Sequence, residues 1–389
     1  MAEISVWTYP WDLHDIGFDA ALEMLSAQGV NTVSLATSYH AGRFLQPGNP
    51  RRRVWFPQDG TVYYAVDPAR WADHEIVPLE ADIVAAEGDY LARLTERRGA
   101  GGPKVSCWTV CLHNTRLGML HPGHVVRTAH GDPQYYGLCP SSPAARAYVT
   151  NMVAEISERY RPDRIELESP DFMGFDHGYH HEKDGLGLLA EDRFLLGVCF
   201  CDHCMARARN AGVPAEAARD TVRRLLDDAF SRDLPQAVFP RFPEDGPAAF
   251  ADHADLAQYL DWRREPVASL IREIRQAAYP GTRVLLIDFE GSWWGGVDLP
   301  SIAGHCDGVV HCAYTTKPDR IGPVLAEARD ILGPEKTIIA GFQLFHPEVA
   351  DRDDMRTRAQ AALPFADGIN FYNLGLVPAA RLGWIGHSL

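Results

Sequence analysis

The chain has 389 residues, 46% of them hydrophobic and 23% charged, a composition that suits a folded protein with a large core and excludes a disordered, fibrous or repetitive one. With 37 Lys and Arg against 52 Asp and Glu, the net charge of -15 repels phosphate backbones and anionic lipid surfaces, so neither nucleic acid nor membrane is an expected partner. The opening MAEISVWTYPWDLHD has no basic stretch before an apolar run, and the reading is a soluble, cytoplasmic protein whose assembly state is open, a homo-oligomer included.

Eight β-branched or aromatic runs follow in order: Ile4 to Tyr9, Thr32 to Ser38, Val105 to Leu112, Arg164 to Ser169, Arg283 to Glu290, Gly308 to Tyr314, Thr337 to Leu344 and Gly368 to Leu374. Helical patterning lies between them. Phe18, Ala21, Leu22 and Leu25 form one stripe that Gly29 is placed to stop. Ser142 before Pro143 reads as an N-cap, with Val149, Met152, Val153 and Ile156 continuing the apolar face. Eight strands joined by crossovers predict an α/β fold, a (β/α)8 TIM barrel forming one elaborated domain over residues 1–389. Two connections, about 40–103 after strand two and 170–281 after strand four, are far longer than usual and should wall a pocket at the C-terminal mouth.

Of eight cysteines, Cys199, Cys201 and Cys204 are spaced for one metal ion, and Zn2+ asks for a fourth ligand. His203 could supply it locally. Strand alternation puts Glu166 with Glu168 on one face of strand four and Asp288 with Glu290 on one face of strand five. If both faces point inward, carboxylates converge and raise one another's pKa, giving the acid and base or nucleophile that glycoside hydrolysis needs. Glu168, Asp288 and Glu290 are therefore the expected catalytic residues.

After strand four, Asp171, His177, Tyr179 and His180 belong to a dense run of rings, imidazoles and acids of the kind that recognises sugars. Trp7, Tyr39, His113, Asn114, Arg116, Trp293, Trp294, Tyr314, Gln343, Tyr372 and Asn373 lie at other strand ends and complete the expected substrate-binding set. His177, His180, His181 and Glu182 could instead hold a catalytic metal. Trp11, Trp55 and Arg51-Arg52-Arg53 read as loop packing and a solvated or anion-facing turn.

Cys139-Pro140-Ser141-Ser142-Pro143, with Arg146 beyond, then a helix, a strand ending in glutamate and Cys-x-Cys-x-x-Cys, resembles the arrangement in family 42 β-galactosidases and their glycosidase-like relatives. The resemblance runs from about Leu138 to Cys204. It implies structural zinc on Cys139, Cys199, Cys201 and Cys204, and Glu168 as acid/base. Leu167 stands where that family has asparagine, and strand seven, Ile338 to Leu344, lacks the family's nucleophilic glutamate. Asp288 or Glu290 would then replace it, or Glu168 would be the nucleophile with a strand-five acid. The expected function is a glycoside hydrolase, exo-acting on a small glycoside or oligosaccharide. Its alternatives are a metal-dependent sugar isomerase or epimerase using Glu168, Asp288 and His311, and a non-catalytic carbohydrate-binding barrel.

Overall fold

The computed structural model describes residues 2–178 and 185–389. Eight parallel strands close into a barrel: β1 (Glu3–Thr8), β2 (Thr32–Tyr39), β3 (Lys104–Val110), β4 (Arg164–Glu168), β5 (Arg283–Phe289), β6 (Gly308–Cys312), β7 (Thr337–Gln343) and β8 (Gly368–Tyr372). Each pairs with its sequence neighbours, and β8 closes on β1 with Glu3 opposite Gly368. The (β/α)8 architecture read from the sequence is the observed one. Most strands stop one or two residues short of their sequence limits, because the next residues already serve the loops. Tyr9 is the N-cap of the helix Pro10–Ile16, and Ser169 turns the chain with φ of 51°.

Two apolar sets define which way each strand faces. Val6, Leu35, Cys107, Leu167, Leu286, Val309 and Phe342 pack outward in the main core beneath the helices. Trp7, Ala36, Trp108, Ile287, Val310 and Ile339 fill the barrel itself. The helix Phe18–Ala27 buries Ala21, Leu22 and Leu25, and Ser142 caps Pro143–Tyr160 through its hydroxyl, both as patterned in the sequence.

The β2 insertion builds the hairpin Phe44–Leu45 with Val54–Trp55 and a strand Thr61–Val62 that runs antiparallel against the end of β2. The β4 insertion carries the helices Ala190–Gly197, Asp202–Asn210, Ala215–Ser231 and Ala254–Trp262 before the crossover helix Arg264–Ala277. Among the described residues no helix is long and apolar enough to cross a membrane.

Candidate active site at the barrel mouth

Arg164, Glu166 and Glu168 alternate with Ile165 and Leu167, which pack outward, so all three charged side chains enter the barrel. Their environments then diverge. Glu166 is fully buried, paired with Arg164 Nε at 2.7 Å, and accepts hydrogen bonds from Trp7 Nε1 and Ser34 Oγ, each at 2.6 Å. One cation and two neutral donors thus compensate its charge, which makes it a structural carboxylate.

Glu168, one layer higher, has Trp108 Nε1 as its donor. Burial pushes its pKa up to about 7, against the opposing pull of that hydrogen bond. Three residues on, Asp171 is likewise driven to about 7, chiefly by burial. Arg263 pulls it down, while the charges of Glu168 and Asp288 push it further up. The turn at Gly295 lies against this carboxylate: a Cβ there would sit 2.2 Å from Asp171 Oδ2, so only glycine fits.

A cavity of about 380 Å³ opens at this end of the barrel, with Glu168, Asp171, His177, Glu290 and Trp294 on its walls. The insertion after β4 forms part of those walls, as its length suggested, and the short loop after β5 forms the rest; the long insertion after β2, expected to share in them, contributes no residue. Glu290 accepts hydrogen bonds from the hydroxyls of Thr315 and Thr316, the latter at 2.9 Å.

Asp288 departs from expectation. Leu285 and Ile287 occupy the barrel interior, so the same alternation sends Asp288 to the outer face, where its Oδ2 meets His311 Nδ1 at 2.9 Å. Both are nearly inaccessible, at 4% and 7% exposure. Asp288 is therefore not on the cavity wall with Glu168, and the Glu168, Asp288 and His311 set needed for an isomerase is divided between the two faces of the sheet.

The expected substrate-binding residues also separate. Tyr39, Tyr314 and Tyr372 crowd Glu168 closely enough for its charge to raise their hydroxyl pKa values, which burial already lifts, that of Tyr372 to about 12. Gln343 ends β7 in register with Tyr372. His113 stacks on His40 at 4.0 Å and meets His177 edge-on at 5.7 Å. Burial keeps this group of imidazoles neutral, lowering His113 to about 2. Trp7 lies below the site, stacked on Trp108 at 5.3 Å.

Three polar residues expected at the site are not on the cavity wall. Asn114 caps the helix Thr115–Leu120 and donates to Gly60 O, using both ends of its amide. Asn373 is buried, its Oδ1 accepting from Gly375 N at 3.0 Å. Arg116 is outside the cavity, influenced by Tyr148 and Asp59. Trp293 packs on Phe194 and Phe242 while Trp294 reaches the cavity. Tyr179, His180, His181 and Glu182 lie outside the described residues.

Cys139, Cys199, Cys201 and Cys204 come together as the sequence suggested, all buried, with their sulfurs within 4.8 Å of one another. Cys139 Sγ stands 3.4, 3.9 and 3.5 Å from those of Cys204, Cys199 and Cys201. These separations are far too long for disulfides and suit four thiolates around one ion. His203 instead stacks on His124 at 5.4 Å. Two features were not foreseen from the sequence. Trp108 as the donor to Glu168 is 60 positions away in the chain, and only the strand phase could have suggested it. Arg263, 2% exposed, has its charge influenced by both Asp171 and the cysteine cluster.

No family model matches the sequence, and no curated protein does. Solved structures do match in fold. A β-galactosidase from the Antarctic haloarchaeon Halorubrum lacusprofundi aligns with a TM-score of 0.59 at 13% identity, over 99% of this chain and 57% of its own. α-L-Fucosidase isoenzyme 2 from Paenibacillus thiaminolyticus gives 0.54 at 16% identity, over 100% and 49%. The PgaB (BpsB) glycoside hydrolase domain from Bordetella bronchiseptica gives 0.51 at 14%, over 96% and 94%. The chain thus spans about half the length of the fucosidase and the galactosidase, and what it shares with all three is the barrel.

Proposed function

We propose that this chain is a glycoside hydrolase acting at the Glu168 cavity on a small glycoside, with Asp171 as the second carboxyl in place of Asp288. The observation that carries the reading is one desolvated pocket holding two acids that both titrate near pH 7. Such a pair holds a proton on one member and a negative charge on the other at neutral pH, the division of labour that glycosidic cleavage requires. The Glu168 carboxyl gives its proton to the glycosidic oxygen as the C1–O bond breaks. The Asp171 carboxylate either bonds to C1 or takes a proton from the water that does. His177 and Trp294 on the cavity wall provide rings that would hold a sugar, with Tyr39, Tyr314 and Tyr372 packed around Glu168, and a cavity of about 380 Å³ suits exo-action on a small glycoside.

The resemblance to family 42 supports the same reading, as do the glycosidase names of the structures that share the fold. We assign the cysteine cluster to a structural Zn2+. A tetrahedral ion with Zn–S of about 2.3 Å sets its sulfurs roughly 3.8 Å apart, and the separations from Cys139 bracket that value at 3.4 to 3.9 Å. A closed four-thiolate site leaves no position for substrate, so its contribution is to pin the β4 insertion that walls the cavity.

A screen of nitrophenyl glycosides of several sugars tests the activity, and two variants test the pair. Asp171→Asn should lower kcat at least about a hundredfold, while Glu290→Gln, held off by its two threonines, should cost less than about tenfold. Unchanged turnover in Asp171→Asn would remove it from the chemistry, and the opposite ranking would give its part to Glu290.

A further inference from the structure

Arg263 joins the helices Ala254–Trp262 and Arg264–Ala277 and is 2% exposed, yet among the described residues it forms no ion pair and its Nε has no hydrogen-bond partner. A buried cation is costly unless something nearby compensates it. Burial works against its charge, and Asp171 is the carboxylate that favours it, beside Tyr259, Cys199 and Cys204. We propose that Arg263 is the positioning residue of the Glu168 and Asp171 pair: it holds the Asp171 carboxyl in place and makes it, rather than Glu168, the member that carries the negative charge. The role in catalysis rests on the hydrolase reading above.

The grip runs through one turn. The Arg263 guanidinium donates to Trp294 O at 3.1 Å, and its own carbonyl lies so near Gly296 that a Cβ there would sit 2.9 Å from it. Between these two contacts stands Gly295, whose carbonyl accepts from Phe172 N at 3.1 Å and where a Cβ would meet Asp171 Oδ2. The guanidinium also lies 4.8 Å over the ring of Phe172, itself buried. Backbone and side chain of one residue thus fix both neighbours of Gly295 and the ring beside Asp171, leaving the carboxyl little freedom to turn.

Charge separates the two acids. Burial lifts both to about 7, so depth alone does not decide which one keeps the proton. Asp171 has Arg263 pulling it down, with Glu168 and Asp288 as the opposing charges, whereas the donor that lowers Glu168 is the neutral Trp108. When one proton is shared, the cation draws the negative charge to Asp171 and leaves the proton on Glu168. That is the division in which Glu168 protonates the glycosidic oxygen.

Carbon-13 titration of the full chain, labelled in its Asp and Glu carboxyls, tests the proposal without substrate; the two signals are assigned by their loss in Asp171→Asn and Glu168→Gln. In wild type Asp171 should ionise at lower pH than Glu168. Arg263→Met should raise the Asp171 midpoint by at least about one pH unit and reverse that order, while Arg263→Lys, which keeps the charge, should move it less than half as far. Nitrophenyl glycoside turnover gives a second readout: in Arg263→Met the acid limb of kcat/KM, where Asp171 gains a proton, should move to higher pH, with kcat down at least about tenfold. Should Arg263→Met not fold, the wild-type Arg263 Nε nitrogen signal still decides, since it should shift with pH at the Asp171 midpoint and lose that step in Asp171→Asn. An unmoved Asp171 midpoint in Arg263→Met, equal shifts in Arg263→Lys and Arg263→Met, or an Arg263 nitrogen signal indifferent to Asp171→Asn would overturn the proposal. A wild type that turns over no glycoside while the carboxyl titrations behave as stated would remove the hydrolase reading and leave the hold of Arg263 on Asp171 standing.

Discussion

Glu168→Gln keeps the side chain's shape and leaves Trp108 Nε1 an oxygen to donate to, but removes the proton and the charge. Two consequences can be separated. For catalysis, losing a positioned proton donor costs about 10²- to 10⁴-fold. The loss should be smallest with nitrophenyl leaving groups, which depart without protonation, and largest with alkyl glycosides, which cannot. For stability, the carboxyl moves from an ordinary 4.5 to about 7 on folding, so the folded state binds this proton more tightly than the unfolded state. That stabilisation is complete below pH 4.5 and lost as pH rises through 7. The difference, 7 minus 4.5 or about 2.5 pH units, corresponds to about 3 kcal/mol at 1.36 kcal/mol per unit. Urea unfolding at pH 5 and pH 8 should therefore show the variant gaining up to about 3 kcal/mol relative to wild type at the higher pH. A stability difference identical at both pH values, or leaving-group-independent turnover equal to wild type, would refute the assignment of Glu168 as a desolvated acid.

Three further outcomes are expected. Cys201→Ser should lower metal content from one equivalent per chain and reduce thermal stability, with kcat of the remaining folded protein little changed; metal analysis and calorimetry check both, and an unaltered melting temperature would contradict a structural ion. Glu166→Ala strips the buried Arg164 of its 2.7 Å partner and should cost about 3–5 kcal/mol in urea unfolding, whereas a loss under 1 kcal/mol would mean that Glu3 and Ser5 suffice for that cation. Gly295→Ala drives a methyl to within 2.2 Å of Asp171 Oδ2, so kcat should fall at least about tenfold while the melting temperature moves little; full activity would show that Asp171 has room to shift or no part in the reaction.

The barrel was legible because parallel strands covered on both faces read as apolar runs of strand length separated by helical stripes. The same property hid the phase of β5. In Leu285-Leu286-Ile287-Asp288 both faces are apolar up to the aspartate, so nothing local says which side is the interior; packing decided it, sending Leu285 and Ile287 in and Asp288 out to His311. The cysteine cluster was readable because three of its members lie within six residues, and the resemblance to family 42 pointed to the fourth, Cys139, which stands just before the N-cap Ser142. Asn114 was harder to read for a different reason. An amide at a strand end looks alike whether it meets a substrate or a backbone N–H, and here a helix start and Gly60 O claimed both ends of it.

Two glutamates two residues apart on one strand share a face, a barrel and a residue type, yet they differ in reactivity because the interior is layered. Glu166 lies level with Trp7, Ser34 and the Arg164 guanidinium, so its charge is compensated at the point where the barrel is driest. Glu168 sits where those donors run out and tyrosines replace them. With Trp108 donating to it and no cation paired with it among the described residues, its neutral form is favoured until about pH 7. Moving a guanidinium up by one layer, as in Val110→Arg on β3 directly opposite Glu168, should reverse this: the pKa of Glu168 would fall toward that of an ordinary carboxylate, and the alkaline limb of activity, where the general acid loses its proton, would shift to lower pH. A pH–rate profile of that variant with an alkyl glycoside distinguishes compensation by charge from simple depth of burial, since depth alone would leave the profile where it was.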